Sequence, residues 1–505
     1  MGAKNIAFRV DASSQIGTGH FMRCLTLADA LKQHGGHIRF VSRYLPEHLR
    51  GMLSESGHEF AILASTQNEE VLDELAHSHW LGINQEQDSA DTINVLSDKY
   101  WDWLIVDHYA LDSRWEAKLR KTAERVMVID DLADRQHDCD VLLDQNLYAD
   151  MESRFACKVP THCQLLLGPK YALLRDEFRK LHEQVKPRTG PVKRVLVFFG
   201  GVDADNFTGR AIEALVGADI AALHVDVVIG AQHPYREQIK VACEQHGFFC
   251  HIQTDRMAEL MAVADLAIGA GGSAIWERCC LGLPALVFCT ADNQREQIAD
   301  AAVDGLLYTA EINVSFNHAI QRHIGALMEN NSLRQLISRK SMQKVDGRGA
   351  MSVVSRLECV GIQIRAARLD DSESLFQWRN HPAIRTVSRN GELIEWQDHQ
   401  KWFASALTDS KRMLLIGMRA GIPVGVVRFD MQLEEAEVSI YLVPEGSTSG
   451  LGRGLLQNSE QWLASNRPEI QRIRAHVFGT NGSSKKLFAD AGYQAESISF
   501  LKELH

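Results

Sequence analysis

The sequence predicts an α/β protein with two doubly wound domains of parallel sheet, followed by a smaller α+β domain. Strand and helix patterns alternate through residues 1–345, which is typical of parallel sheets covered by helices on both faces. The polar stretch 183–193, with two prolines and one glycine, interrupts this alternation before it restarts. After Gly361 the strands follow one another closely, and a glycine-rich turn and a helix come after them. We therefore expect domains over residues 1–183, 192–355 and 361–505.

The individual elements follow from apolar runs and their spacing. Asn5–Val10 is a short apolar run, which predicts a buried strand, and apolar residues from Cys24 onward recur at helical spacing. The other strands expected in the first domain are Ile38–Ser42, Trp103–Asp107 and Val126–Asp130. Those of the second domain are Arg194–Phe199, Val225–Ile229, Phe248–Ile252, Leu266–Ile268 and Ala285–Phe288. Those of the third domain are Ile362–Ala366, Met413–Arg419, Pro423–Asp430 and Glu437–Leu442.

Composition restricts the partners and the compartment. The 505 residues, 45% of them hydrophobic, suffice for two to four domains with buried cores. A net charge of −11 without a dense basic run argues against nucleic acid and anionic membranes as general partners. The ten cysteines show no CxxC or Cys/His metal spacing, which is typical of free thiols in a reducing compartment. No signal-peptide pattern and no apolar run of 18 residues occurs, so we expect a cytoplasmic protein of unspecified oligomeric state.

The loop that joins the first strand to its helix, residues 11–23, holds the strongest catalytic candidates of the first domain. Gly17 and Gly19 allow the backbone to adopt positive φ and approach a ligand. A glycine loop between a strand and a helix N-terminus is a ready anion site. His20 lies at the mouth of the helix and Arg23 one turn later. A catalytic His20 is one interpretation, and a helix-capping His20 is the other.

A second glycine turn follows the predicted strand Leu266–Ile268. Gly271 and Gly272 permit a tight turn, and Ser273 is a good helix N-cap, so free amides there would hold a diphosphate. Glu277 lies one turn into the helix and would accept both hydroxyls of a ribose. Asn293 and Gln294 precede another helix and would face the same cleft. The alternative is an ordinary strand–helix turn with an exposed glutamate.

The third loop of interest follows the first strand of the second domain. Gly201 and Asp203 lie at the ligand edge of that predicted sheet, where tandem α/β domains bind their substrates. Asp203 and Asp205 also form a DxD pattern, by which many sugar-nucleotide transferases hold a metal. Asp138 and Asp140 repeat the pattern, and no further oxygen ligands accompany either pair, so we expect no metal.

Motifs in a fixed order run through both predicted α/β domains. They are Arg9…Asp11…Ser13…Ile16-Gly-Thr-Gly-His20…Arg23, Val106-Asp107-His-Tyr109, Ile129-Asp-Asp131, Leu167-Gly-Pro-Lys-Tyr-Ala-Leu-Leu-Arg175, Phe199-Gly-Gly-Val-Asp203, Gly271-Gly-Ser…Trp276-Glu277 and Asn293-Gln294. With these motifs, residues 1 to about 355 resemble the UDP-2,4-diacetamido-2,4,6-trideoxy-β-L-altropyranose hydrolases of pseudaminic acid biosynthesis. That family resembles the two-domain GT-B glycosyltransferases of the peptidoglycan lipid-linked type. The resemblance implies a GT-B arrangement, water as the acceptor and no metal.

The resemblance also favours the catalytic interpretation of His20. A neutral His20 would take a proton from the water that attacks the anomeric carbon, and the attack would invert that centre. Amides at Gly271 to Ser273 would stabilise the charge that develops on the UDP diphosphate. Asp11 or Asp107 would orient His20 or hold sugar hydroxyls. The expected substrate-binding residues are Gly17, Gly19, Arg23, Tyr109, Gly201, Asp203, Gly271, Gly272, Ser273, Glu277, Asn293 and Gln294.

The third domain carries a strand, a glycine loop and a helix whose amides could wrap a pyrophosphate without a metal. The motifs are Glu437-Val-Ser-Ile-Tyr-Leu-Val443, Ser447-Thr-Ser-Gly450-Leu-Gly452-Arg-Gly454, Asn481-Gly-Ser-Ser484, Arg365-Ala…Asp370…Trp378-Arg-Asn380 and His399…Trp402-Phe403. With them, residues 361–505 resemble the RimJ/RimL-type branch of the GNAT acyltransferases. The resemblance implies acetyl-CoA as co-substrate, bound by Val438, Ile440, Gly450, Leu451, Gly452, Arg453, Gly454, Asn481 and Ser484.

Two departures from the GNAT pattern affect the expected chemistry. Ser447 stands where the loop usually has Arg or Gln, which removes one phosphate contact. Phe488 stands where many members carry the tyrosine that protonates the leaving thiolate. The acid and base therefore stay open among Glu437, His399 and Tyr441, each of which also has a structural interpretation.

The two resemblances together imply a bifunctional enzyme of pseudaminic acid biosynthesis. The third domain would acetylate the 4-amino group of a UDP-sugar, and the first two would hydrolyse the diacetamido product and release UDP. One alternative is a GT-B glycosyltransferase joined to an unrelated acetyltransferase, although residues 1–180 show no basic, apolar membrane-facing patch. The other is a UDP-sugar sensor without catalysis.

Overall fold

The computed structural model describes residues 4–13, 15–64, 73–217, 223–311, 316–388, 390–419, 421–444, 451–477 and 481–496. The chain divides into two compact units at residues 353/354. The first unit contains two parallel sheets, and the second contains one mixed sheet. No helix among the described residues combines the length and the apolar character needed to cross a membrane.

The first sheet is parallel, with strand order β3-β2-β1-β4-β5-β6-β7. Its strands are β1 (Asn5–Val10), β2 (His37–Ser42), β3 (Glu59–Ile62), β4 (Trp101–Asp107), β5 (Ala123–Ile129), β6 (Val141–Asp144) and β7 (Gln164–Leu167). The helices are α1 (Gly19–Gln33), α2 (Glu47–Glu55), α3 (Gln85–Val95), α4 (Ser113–Leu119) and α5 (Asp176–His182). The strand order reverses between β1 and β4, and such a switch point opens a crevice at the carboxyl ends of the strands.

The second sheet is also parallel, with order β10-β9-β8-β11-β12-β13. Its strands are β8 (Arg194–Phe198), β9 (His224–Ile229), β10 (Phe249–Ile252), β11 (Leu266–Ala270), β12 (Ala285–Phe288) and β13 (Tyr308–Thr309). The helices are α6 (Phe207–Gly217), α7 (Arg236–His246), α8 (Met257–Val263), α9 (Ala274–Cys280), α10 (Arg295–Val303), α11 (Phe316–Glu329), α12 (Asn331–Lys344) and α13 (Gly349–Cys359). Its switch point lies between β8 and β11, the strands that precede the two predicted glycine loops.

The core beside the second sheet includes residues from the chain before the 183–193 stretch. Leu147, Leu174 and the fully buried Phe178 of α5 belong to the same apolar cluster as Trp276 and Leu283. The last part of the first predicted domain therefore packs against the second sheet.

The second unit has an antiparallel sheet of order β14-β15-β16-β17, with β18 added parallel to β17. The strands are β14 (Gln363–Ala366), β15 (Arg412–Arg419), β16 (Ile422–Gln432), β17 (Glu435–Leu442) and β18 (Arg472–Ala475). The helices are α14 (Ser372–Asn380), α15 (Pro382–Arg385), α16 (Trp396–Thr408), α17 (Leu451–Asn466) and α18 (Gly482–Asp490). Apolar clusters cover both faces of the sheet, one involving α17 and the other α14 and α16.

The predicted fold class is confirmed, and the differences concern bounds and short strands. Helix α1 begins at Gly19 rather than near Cys24, because its first turn is held by a backbone bond from Met22 to Thr18 and needs no apolar spacing. Several strands are short: four residues in β3, β6, β7, β10 and β18, and two in β13. Strands of this length show little hydrophobic periodicity in the sequence, so several of them were not predicted.

Candidate active sites

His20 and Asp107 meet at the switch point of the first sheet. β1 and β4 are neighbours in the sheet with Val10 opposite Asp107, and His20 lies in the first turn of α1. The Nδ1 atom of His20 is 2.6 Å from Oδ1 of the fully buried Asp107. Arg23 donates to both oxygens of Asp107, from Nε at 2.6 Å and from Nη2 at 2.7 Å. One carboxylate therefore holds both His20 and Arg23.

The charge on Asp107 decides what His20 can do. Burial alone would raise the pKa of Asp107, but Arg23 and His20 outweigh it and hold the pKa well below its usual range. The ionised Asp107 accepts a hydrogen bond from Nδ1–H of His20, which leaves Nε2 as the proton acceptor of the neutral ring. This geometry suits a general base.

Asp11, the other candidate partner of His20, contacts different groups. Its buried carboxylate accepts from Arg9 Nη1 at 2.7 Å and from the backbone amide of Arg43 at 2.7 Å. Its second oxygen lies 3.2 Å from Nε2 of His108. Asp11 thus links the end of β1 to the loop that follows β2. Of the two aspartates, only Asp107 contacts His20.

Two aromatic rings frame His20. The ring of Tyr109 meets it edge-on at a centroid distance of 4.5 Å, and the ring of Trp80 lies 6.2 Å away. Trp80 also stacks on Tyr109 at 5.5 Å. Tyr109 was predicted in the substrate site, whereas Trp80 was missed because it lies in a short 3-10 turn with no motif around it. Flat apolar surfaces of this kind suit the face of a sugar ring.

Asp131 links this cluster to the second sheet. It accepts hydrogen bonds from the hydroxyl of Tyr109, from Arg23 Nη1 at 3.0 Å and from Asn146 Nδ2 at 3.3 Å. The side-chain oxygen of Asn146 in turn accepts from Trp276 Nε1 and from Gln297 Nε2, both at 3.0 Å. A continuous hydrogen-bonded path therefore runs from His20 to helices α9 and α10. The Ile129-Asp-Asp131 motif was recognisable in the sequence, but no role could be predicted for Asp131.

The glycines of the first loop differ in their geometry. Gly17 has a φ of 77°, as its predicted role requires, and its amide donates to the carbonyl of Ser13 at 2.8 Å. Gly19 begins α1 with ordinary negative φ, so it contributes a helix N-terminal amide rather than a special turn.

The turn after β11 brings several predicted residues together. Gly272 has a φ of 87°, and a Cβ on Gly271 would lie only 2.7 Å from Ile298. The side chain of Gln294 lies against both glycines, and Asn293 belongs to the same 3-10 turn, Asp292–Gln294. The expected N-cap does not form, because the side chain of Ser273 makes no capping bond and its backbone is already helical. Its exposed hydroxyl and the turn amides stay available to a ligand.

Glu277 presents a carboxylate that no described residue hydrogen-bonds. It is half-buried on α9, one turn after the glycines. Burial raises its pKa, while Arg175 and Arg278 oppose that shift. Such an unsatisfied acceptor in a partly buried position suits a ligand with two hydroxyl donors.

Asp203, which was predicted to bind the substrate, bonds the start of a helix in the structure. Its carboxylate accepts from the amides of Phe207 at 3.0 Å and Thr208 at 2.7 Å, and from the Thr208 hydroxyl at 2.7 Å. It therefore caps α6, and the sequence could not distinguish this cap from an open DxD pattern. Gly201 stays exposed after β8. Within the described ranges, no group of three or more His, Cys, Asp or Glu side chains is arranged to hold a metal.

The second unit contains a cavity of about 630 Å³ beside β17. β17 pairs with β18 from Glu435 to Val438 only, and the chain after β18 then lines the cavity opposite Ile440. Among the described residues, none pairs with this edge of β17 from Ser439 onward, so an extended ligand can pair with the backbone there. The side chains of Val438 and Ile440 belong to the core, so their contact with a ligand would be through the backbone.

Of the predicted acetyl-CoA residues, Val438, Ile440, Asn481 and Ser484 line this cavity. Leu451, Gly452, Arg453 and Gly454 form the first turn of α17, and the N-terminal turn of a helix favours an anion. Asn481 caps α18 by accepting from the amide of Ser484 at 3.0 Å, and both line the cavity. Gly450 and Ser447 lie outside the described residues.

The acid–base candidates separate by their contacts. His399 is buried, and its Nε2 lies 2.8 Å from the carbonyl oxygen of Ser372. This contact supports the structural interpretation of His399 rather than the catalytic one. Glu437 and Tyr441 lie on one face of β17 and line the cavity with Phe488. Burial raises the pKa of Tyr441, so its phenol stays protonated at neutral pH.

Two segments match known domain families. Residues 194–343 match the Glycosyltransferase family 28 C-terminal domain, and residues 362–494 match the Acetyltransferase (GNAT) domain. These segments contain the glycine turn after β11 and the cavity beside β17 respectively.

Similar proteins extend the matches. An uncharacterized protein of Methanocaldococcus jannaschii is 23% identical over 97% of this chain and 96% of its own length. The UDP-2,4-diacetamido-2,4,6-trideoxy-β-L-altropyranose hydrolase of Campylobacter jejuni is 25% identical over 57% of this chain and 93% of its own. The structure of Acinetobacter baumannii MurG aligns with a TM-score of 0.49 at 14% identity, covering 70% of this chain and 99% of MurG. The chain thus carries a segment that matches the Glycosyltransferase family 28 C-terminal domain, followed by a segment that matches the Acetyltransferase (GNAT) domain.

Proposed function

We propose that the chain is a bifunctional enzyme of pseudaminic acid biosynthesis. The GNAT domain transfers an acetyl group from acetyl-CoA to the 4-amino group of a UDP-linked sugar. The GT-B-like unit then hydrolyses UDP-2,4-diacetamido-2,4,6-trideoxy-β-L-altropyranose and releases UDP. The observation that carries the hydrolase assignment is the His20–Asp107 contact of 2.6 Å at a sheet switch point. The similarity to the Campylobacter jejuni hydrolase supports the substrate.

In this mechanism His20 removes a proton from water through Nε2, and Asp107 stabilises the imidazolium that forms. Water attacks the anomeric carbon opposite the leaving group and inverts the configuration. The amides from Gly271 to Ser273 stabilise the charge on the departing diphosphate. Arg23 keeps Asp107 ionised, Tyr109 and Trp80 border the sugar, and Glu277 accepts the ribose hydroxyls.

The test is incubation of the purified chain with UDP-linked 4-amino and 4-acetamido sugars, with and without acetyl-CoA, followed by NMR. Formation of UDP and the free diacetamido sugar from the acetylated substrate is the expected result. Transfer of the sugar to a hydroxyl acceptor, with no release into water, would identify a glycosyltransferase instead. Binding without turnover would identify a sensor.

Glu277→Ala should weaken UDP binding by about 1–3 kcal/mol, the effect of losing a charged hydrogen-bonded contact. The reason is that its carboxylate is half-buried and receives no hydrogen bond from the described part of the chain. Calorimetric titration with UDP measures the effect, and Glu244→Ala, an exposed glutamate of α7, is the matched control. Equal affinities in both variants would remove Glu277 from the nucleotide site.

Excess EDTA should leave the rate of UDP release unchanged, because the proposed mechanism stabilises the leaving diphosphate with backbone amides. The rate is measured before and after chelation, with an added-Mg²⁺ control. A clear loss of rate that Mg²⁺ restores would contradict the assignment and return Asp203 and Asp205 to consideration as metal ligands.

A further inference from the structure

One wall of the cavity in the second unit is positively charged. Arg379, in the last turn of α14, and Arg428, in the middle of β16, both line it. Arg379 donates from Nη2 to the carbonyl of Asn390 at 2.6 Å, while its Nη1 is buried and has no hydrogen-bond partner in the described chain. Among the described residues, no carboxylate pairs with Arg379. The described residues therefore supply no counter-charge to this cation.

Arg428 is only partly neutralised. Its Nε lies 2.8 Å from Oδ2 of Asp430, but the other oxygen of Asp430 accepts from Arg412 Nε at 2.6 Å. A single carboxylate thus serves two arginines. Burial lowers the pKa of Arg379, and the nearby charges of Arg428 and Arg385 lower it further. The positive charges of these arginines repel one another, and a bound anion would relieve that repulsion.

The cavity has an acidic side as well. Glu437 and Tyr441 lie on the same face of β17, four residues apart, and Arg428 pairs in register with Ser439 between them. Arg379 and Arg428 both act on the phenol of Tyr441, against the effect of burial on its pKa. Both arginines therefore lie near Tyr441, and Arg428 also lies beside Asp430, which pairs in register with Glu437. Glu437, with His476 at 4.0 Å, lies where β17 still pairs with β18.

We propose that Arg379 and Arg428 form an anion subsite that binds the phosphate groups of a nucleotide-linked amino-sugar acceptor. The inference rests on the proposed function and specifies how the acceptor is selected. A 4-amino sugar linked through C1 carries its cationic amine and its phosphates on opposite sides of the ring, so the arginines can bind the phosphates without contacting the amine. The planar guanidinium of arginine suits phosphate oxygens in particular.

Acetyl-CoA also carries phosphates, so the experiment must separate the two sources. The amides at the start of α17 already provide a site for a diphosphate, whereas the arginines belong to α14 and β16. We therefore expect changes at the arginines to alter the KM for the acceptor and leave the KM for acetyl-CoA unchanged.

The test measures CoA release by the full chain with two acceptors, the UDP-linked 4-amino sugar and its phosphate-free methyl glycoside. Arg379→Gln and Arg428→Gln should each raise the KM for the UDP-linked acceptor by about tenfold or more, as expected for loss of a charged hydrogen bond. Arg379→Lys should recover part of the loss. Arg467→Gln, beyond the end of α17, is the matched control and should behave as the wild type. The methyl glycoside should be a poor acceptor for every variant, with no further loss in the glutamine variants.

Each outcome has a distinct meaning. Equal efficiency of the wild type with both acceptors would overturn the subsite and leave the acetyltransferase assignment intact. So would an arginine effect that appears only in the KM for acetyl-CoA, because the phosphates bound would then be those of CoA. No CoA release with either acceptor would refute the proposed function itself, and the subsite with it.

Discussion

His20→Ala should lower kcat for UDP release by a factor of about 10²–10⁴, the usual contribution of a general base. UDP affinity should change little, because the proposed UDP contacts belong to the turn after β11 and to α9. The large effect is expected because Asp107 accepts the hydrogen bond from Nδ1–H of His20. The other ring nitrogen, Nε2, is then the one that can accept a proton from water. Steady-state release of UDP from the diacetamido sugar gives kcat, and calorimetry gives the affinity.

His20→Asn is the second variant, since it keeps a polar side chain of similar reach and should be equally inactive. His48→Ala, an exposed histidine of α2, should retain full activity. Retention of more than about a tenth of the wild-type kcat by His20→Ala would exclude the general-base role. Loss of UDP binding together with activity would instead indicate that the substitution disturbs the fold.

Hydrolysis of the 4-amino precursor should depend on acetyl-CoA, whereas hydrolysis of the pre-acetylated sugar should not. A free amine on the sugar is cationic near neutral pH. A pocket shaped for a neutral acetamido group would leave that charge desolvated and its own polar groups unpaired. Gly452→Trp should abolish the acetyl-CoA-dependent reaction and spare the other. The expected loss is at least about a hundredfold, because the bulky ring blocks the α17 amides and each charged hydrogen bond is worth ~1.5–3 kcal/mol.

Gly452→Ala is the matched control for the tryptophan variant. A Cβ at this position would lie 3.7 Å or more from its neighbours, so alanine fits without displacing anything. Both reactions should therefore survive in it. Release of UDP from the unacetylated precursor at the same rate without acetyl-CoA would refute the proposed order and require another acceptor for the GNAT domain.

The sequence predicted the switch-point residues well, because their positions follow from chain order. A loop after β1 and the last residue of β4 must meet when the strand order reverses between them, so His20 and Asp107 could be placed together. The choice between Asp11 and Asp107 could not be made in this way. Both follow or end buried strands, and the outcome depends on the side chain of Arg9 and the backbone amide of Arg43, which both donate to Asp11.

Contacts between distant segments were not predictable. Trp80 reaches His20 from a 3-10 turn without periodicity, and Asn146 reaches Asp131, Trp276 and Gln297 across long separations in sequence. The capping role of Asp203 was hidden for a different reason. A short acidic side chain after a strand has the same local pattern whether it caps the next helix or faces a ligand.

Phe178 sets a practical constraint on hybrid enzymes built from this chain. The polar stretch 183–193 invites a fusion point, yet Leu147, Leu174 and Phe178, all before it, pack into the core beside the second sheet. A chimera with a foreign partner joined there would lose matched side chains from that core, at a cost of about 1.5–3 kcal/mol for each large apolar residue no longer buried. Exchange of the half that contains the first sheet should therefore retain Asn146, Leu147, Leu174 and Phe178, so that the core beside the second sheet and the bond from Trp276 to Asn146 are preserved.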